Sequence, residues 1–125
     1  MPIEKHILYV DDEPINLELF KLNFRKHFNI HTAASGTDGL RILGQNKNIY
    51  VIVSDMKMPE MNGIEFIKKA KTKFPGKKFF ILTGFEITQE IQDAINSNLI
   101  VKYLRKPFKH DDILEIIQNT FKSIE

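Results

Sequence analysis

Five short runs rich in β-branched and aromatic residues alternate along the chain with segments of helical period: ILYV at 7–10, IHTA at 30–33, YVIV at 50–53, FFIL at 79–82 and VKYL at 101–104. That alternation restricts the fold more than any other feature. Parallel strands cannot be joined by a tight turn. They need a crossover, which is right-handed in nearly all proteins, so strand and helix repeated five times give a parallel sheet with helices on both faces. The runs read as continuous rather than alternating in polarity, as strands covered on both faces do. The expected fold is α/β, a doubly wound five-stranded parallel sheet with five helices.

Each helical segment carries one apolar stripe. Leu17, Phe20, Phe24 and Phe28 mark the first; Leu40 and Leu43, after Gly36, the second; Ile64 and Ile67, with Lys71 continuing the period, the third. Ile87, Ile91, Ala94 and Ile95 mark the fourth, and Ile113, Ile117 and Phe121 the fifth. All five are assigned to the core. Asn98 stands where the fourth helix should stop, because Asn tolerates the left-handed conformation of such stops. Asp111 and Asp112 fall in the first turn of the fifth helix, where negative charge complements the helix dipole.

A chain of 125 residues, 42% apolar and 27% charged, is one soluble domain with a core that needs no disulfide. No segment approaches the roughly 20 apolar residues of a membrane span. The absence of cysteine removes thiol-redox and thiolate-metal chemistry and agrees with a cytoplasmic location. The first residues, MPIEKH, are polar and lead straight into a strand, which argues against a secretory signal. Lys68, Lys69, Lys71, Lys73, Lys77 and Lys78 cluster on the third helix and the turn after it. With a net charge of only +2 and no stacking aromatics or groove-reading motif among them, they read as a solvated helix face, and no direct nucleic-acid binding is expected.

In open α/β sheets ligands bind outside the carboxyl ends of the strands. Asp11, Asp12 and Glu13 follow the first strand; Ser54 and Asp55 the third; Thr83 and Gly84 the fourth; Arg105, Lys106 and Pro107 the fifth. The third strand end is the densest: IYVIVSDMKMPEMNG, at 49–63, delivers Asp55 to a point where Pro59, Asn62 and Gly63 end the strand. Three carboxylates on one edge repel each other, and a hard divalent cation with oxygen ligands, Mg2+ rather than Zn2+, resolves the repulsion. Thr83 and Lys106 are donors suited to a phosphoryl group on a carboxylate oxygen, and Gly84 leaves room for it. The pattern suggests phosphoryl transfer to Asp55. Taken singly, each residue has a plainer reading: Asp55 a cap for the third helix, Asp11 with Asp12 a cap for the first, Thr83 a cap for the fourth, Lys106 a surface cation. His6, His27, His31 and His110 lack zinc-type spacing and read as surface or packing residues.

In combination, LYVDDEP, VSDMKMPEMNG, ILTG and YLRKPF make the chain resemble the receiver domain of two-component response regulators, including the chemotaxis receivers, over nearly its whole length. The resemblance implies one receiver domain over residues 1–125, a flavodoxin-like three-layer sandwich and the strand order 2-1-3-4-5. It implies that Asp55 accepts a phosphoryl group from a phosphohistidine on a histidine kinase or phosphotransfer protein. Mg2+ would be bound by Asp12 and Asp55 directly, by the Lys57 backbone carbonyl, and by Asp11 through water. Thr83 and Lys106 would hold the phosphoryl oxygens, and the Lys106 to Pro107 bond would be cis. Thr83 and Tyr103 would form the switch, although a Tyr at that place is also simply an edge-strand aromatic half covered by its neighbours. The signal would be read on the face of the fourth helix, fifth strand and fifth helix, by an output domain or protein partner that the sequence does not name, or by a homodimer. The domain would catalyse only its own phosphorylation and dephosphorylation and would not be a turnover enzyme.

Lys57, two residues after the acceptor, and Phe85, two after Thr83, crowd the phosphoryl site and predict slow self-dephosphorylation. Two other readings stand beside this one. Asp-nucleophile phosphatases of the haloacid dehalogenase type need a second acid two residues after the nucleophile, where this chain has Lys57. A pseudo-receiver would be an interaction module that takes no phosphate.

Overall fold

The computed structural model describes residues 4–84 and 86–124. The elements run β1 (His6–Val10), α1 (Pro14–Phe24), β2 (Asn29–Ala33), α2 (Gly36–Gln45), β3 (Ile49–Asp55), α3 (Gly63–Lys73), β4 (Lys78–Thr83), α4 (Gln89–Asn96), β5 (Lys102–Arg105) and α5 (His110–Ile124). All strand pairings are parallel and the order is β2-β1-β3-β4-β5, so the chain reverses direction across the sheet between β1 and β3. Asp11 and Asp55 follow or end those two central strands.

The apolar runs sort onto two faces because successive side chains of a strand point to opposite sides. Leu8, Val10, Ile52 and Ile81 pack with Leu43 of α2, Ile64, Phe66 and Ile67 of α3 and Ile91 and Ala94 of α4. Ile7, Tyr9, Val53, Phe80 and Leu82 face Phe20 and Phe24 of α1 and Ile113, Ile117 and Phe121 of α5. The central strands are buried, whereas β2 and β5 are edges and partly open.

Local chemistry sets the ends. The Asn62 and Glu65 pair forms a capping box at α3, and Ser35 and Thr88 cap α2 and α4 through their hydroxyls. Asn98 has φ 62°, the left-handed stop expected after the fourth helix. Several boundaries differ from the sequence reading. Ile87 precedes α4, since Thr88 takes the cap; Phe28 lies in the turn after α1 yet stays buried; and β3 and β4 run on to include Asp55 and Thr83. Among the described residues, no helix is long and apolar enough to cross a membrane.

Candidate functional site

Asp55 is the last residue of β3, and it is held there by a tightly closed loop. Met56 N donates to Leu82 O at 3.3 Å, Gly63 N donates back to Met56 O at 2.9 Å, and Glu60 between them takes φ 67°. Gly63 is obligatory in that closure: a Cβ there would fall on the Asp55 carbonyl oxygen and within 2.8 Å of Ile81 Cδ1.

Asp11, fully buried, accepts from Tyr9 OH at 2.6 Å and from Glu13 N at 3.0 Å. Tyr9 is itself fixed by stacking on Phe20, with centroids 4.2 Å apart. Asp12 is half-buried beside it. One carboxylate oxygen from each of Asp11, Asp12 and Asp55 lies within 4.8 Å of the others. Lys106 enters from the loop after β5, its Nζ 3.0 Å from Asp55 Oδ1 and 3.7 Å from Asp11 Oδ2. Its backbone N donates to Thr83 O, and the Lys106 to Pro107 peptide is cis. Thr83 ends β4 and is buried.

The electrostatics follow from this crowding. Burial pushes the Asp55 carboxyl above its ordinary range, the Lys106 ammonium pulls it back, and the Asp11 charge raises it again. Burial and the bond to Asp11 push the Tyr9 phenol far up, so Tyr9 remains a hydrogen-bond donor. A compact set of oxygen ligands without nitrogen or sulfur suits a hard cation such as Mg2+.

The capping alternatives are not what the chain adopts. Asn62 caps α3, Thr88 caps α4, and Glu13 stands at the N-cap of α1 with no side-chain cap bond. Asp55 and Thr83 cap neither following helix, Asp11 accepts from the amide of the α1 N-cap residue Glu13, and Lys106 is an ion-pair partner rather than a solvated cation. Lys57 is exposed in the loop after β3. Phe85, the other half of the expectation of slow dephosphorylation, lies outside the described residues. Tyr103 is half-buried on β5, packed against the cluster under α3 and α4.

Sequence reading missed several features. Tyr9 was assigned only to a strand, although a Tyr two residues before a buried Asp points to the same side as it. Ile15, Leu19 and Leu22, spaced four and three apart on α1, form a second apolar stripe that is 71%, 50% and 55% exposed. The first stripe, through Phe20 and Phe24, accounts for the core and leaves this one unexplained. Lys77 also departs from the solvated lysine face: its Nζ donates to the Ile49 carbonyl and stands 5.1 Å from the centre of the Tyr50 ring.

Residues 7–118 match the family model for the response regulator receiver domain. The transcriptional regulatory protein GlrR of Escherichia coli is 31% identical over 120 residues, which cover 94% of this chain and 26% of that protein. A chemotaxis protein CheY homolog of Campylobacter jejuni is 26% identical over 117 residues, covering 90% of this chain and 89% of that one. The crystal structure of a response regulator receiver domain protein from Clostridium thermocellum superposes with a TM-score of 0.88 at 32% identity, covering 95% of each chain. The chain thus spans about a quarter of the length of the transcriptional regulators it matches. A five-stranded 2-1-3-4-5 sheet, an acidic trio at its switch point and a family match over nearly the whole length agree, and the chain belongs to the response regulator receiver domain family.

Proposed function

We propose that this domain is a phosphorylation-dependent switch in which Asp55 takes a phosphoryl group from a phosphohistidine of a histidine kinase or phosphotransfer protein. The observation that carries the reading is the packing of Asp11, Asp12 and Asp55 within 4.8 Å, with Lys106 at 3.0 Å from the acceptor. In the transfer an Asp55 oxygen forms the new bond to phosphorus, the phosphorus to nitrogen bond breaks, and the imidazole leaves with the electron pair and takes a proton.

Each residue has a task in that step. Burial keeps the Asp55 carboxylate basic, which strengthens it as a nucleophile. Lys106 and the Thr83 hydroxyl stand ready to hold the phosphoryl oxygens, so charge spreading over them meets fixed donors. Asp11, oriented by Tyr9 and the Glu13 amide, would hold the ion through water, with Asp12, Asp55 and the Lys57 carbonyl as its direct ligands. Mg2+ bound there offsets the charge of the carboxylates and the incoming phosphate.

The exposed stripe Ile15, Leu19 and Leu22 supports the partner assignment. Leu19 borders a groove shared with Lys106, Pro107 and Phe108, so an apolar surface adjoins the acceptor edge. Drawing Thr83 toward the phosphate would let Tyr103 turn inward and shift the population of the α4, β5 and α5 face, which an output domain, a partner or a second copy would read.

Intact mass after treatment with acetyl phosphate and Mg2+ tests the acceptor. Wild type is expected to gain one phosphate and Asp55→Asn none. An equal gain in the variant overturns the assignment, and no gain in wild type favours an interaction module.

A further inference from the structure

His6 opens β1 and His31 lies within β2, and the register that sets Leu8 opposite His31 puts both rings on one face of the sheet, at the end away from Asp55. The ring centroids are 5.3 Å apart, and His6 Nδ1 faces His31 Nε2 at 3.0 Å. The other His6 nitrogen, Nε2, meets the Glu4 carboxylate at 2.9 Å. An ionised carboxylate only accepts, so Nε2 carries hydrogen, and the tautomer with hydrogen there alone presents the Nδ1 lone pair to His31. In that tautomer the hydrogen between the rings is donated by His31. Burial and the neighbouring His6 lower the pKa of His31, which favours the neutral form that can act as a ligand.

We propose that His6 Nδ1 and His31 Nε2 form a two-histidine site for a divalent first-row transition ion, which takes the place of the hydrogen between the rings. A tetrahedral ion ~2.0–2.1 Å from each nitrogen holds the pair about 3.3 Å apart, so a pivot of a few tenths of an ångström opens the site. His31 gives its Nε2 hydrogen to water and takes one from water on Nδ1, so the ring stays neutral and its Nε2 lone pair turns to the ion. Glu4 stays on His6 Nε2, the outer carboxylate partner that commonly orients a ligating imidazole. Water completes the shell. Nitrogen ligands at this end and oxygen ligands at the Asp55 end separate a borderline ion from Mg2+ by donor type. The ion ties edge strand β2 to β1. The other close histidine pair, His27 and His110, is less apt, because both His110 nitrogens already face Asp111 and the Asn23 carbonyl.

Thermal unfolding with Zn2+ in the presence of excess Mg2+ tests the site, with histidine ring resonances followed by NMR. Zn2+ is expected to raise the wild-type Tm by about 3–6 °C. The rise should be lost in His31→Gln and His6→Gln, while the wild-type rings of His6 and His31 shift and those of His27 and His110 do not. An equal rise in both variants, or ring shifts confined to His27 and His110, overturns the proposal. If a variant does not fold, the wild-type ring shifts decide alone.

Discussion

The two ends of the same sheet solve the burial of polar groups in opposite ways. At the amino end, Lys77 reaches back from the turn before β4 and gives its hydrogens to the carbonyls of Ile49 and Lys47, with the Tyr50 ring beside it. His6 and His31 face each other there at 3.0 Å, and the Glu4 carboxylate stands 2.9 Å from the other His6 nitrogen. Charge at that end meets neutral dipoles or is spread over a solvated carboxylate. At the carboxyl end, Asp11, Asp12 and Asp55 crowd together, and Lys106 faces two of them. One end is arranged for stability, the other holds repulsion in place for a ligand to relieve.

The largest effect should come from removing the amino-end clip. Lys77→Met keeps the apolar stem against the sheet but deletes the ammonium, and with it charge-assisted hydrogen bonds to the start of β3. Burial already lowers the pKa of Lys77, so the carbonyls are what hold the cation there. Urea unfolding should show a loss of about 2 kcal/mol. A loss within error of zero would mean that the ammonium is no better placed there than in water, and the contrast between the ends would fail.

Asp55→Asn should move stability the other way. The folded pKa of Asp55 is raised above its ordinary 3.8, with burial the main cause. A raised acid contributes its full stability below the unfolded pKa and loses it as pH climbs through the folded value, so at neutral pH the ionised group is a net cost. The amide removes that cost, and Lys106 keeps Asp11 as a partner at 3.7 Å. Without divalent ions at pH 7, the variant should be more stable by about 0.5–2 kcal/mol, a gap that closes below pH 4. A less stable variant at pH 7 would show that the Lys106 pair outweighs the repulsion.

These contrasts also explain what the sequence makes legible. The five strands follow from short apolar runs, and the carboxyl-edge residues from their position just after those runs, because chain direction in a parallel sheet sends every strand end to one side. Asp11, Asp12, Asp55, Thr83 and Lys106 could be named together for that reason. Cap positions were less legible: Thr88 takes the α4 cap five residues after Thr83, and spacing alone does not say which hydroxyl does so. Lys77 and the His6 and His31 pair were invisible because their partners are backbone carbonyls or a residue 25 positions away, set by register rather than by local pattern. The second stripe of α1 was hidden by the first, since a helix apolar on two sides blurs its own period. For Tyr103 the sequence tells of a half-covered edge-strand aromatic, and the switch proposed for it would be a motion rather than one conformation.

That second stripe gives the smallest expected change in stability and the sharpest separation between partner and chemistry. Ile15, Leu19 and Leu22 are each half exposed or more, so Leu19→Glu should alter unfolding by less than about 0.5 kcal/mol. Its side chain borders the groove that Lys106, Pro107 and Phe108 share, beside the acceptor rather than in it. On the proposed function a small phosphodonor needs only the edge, whereas a protein donor would also lie against α1, and an apolar residue desolvated in such a contact commonly carries more than 1 kcal/mol. Phosphorylation by the cognate kinase should therefore slow about tenfold, while the rate with acetyl phosphate stays unchanged. Equal slowing with both donors would place Leu19 in the arrangement of the acceptor itself, and no slowing with either would remove α1 from the partner surface.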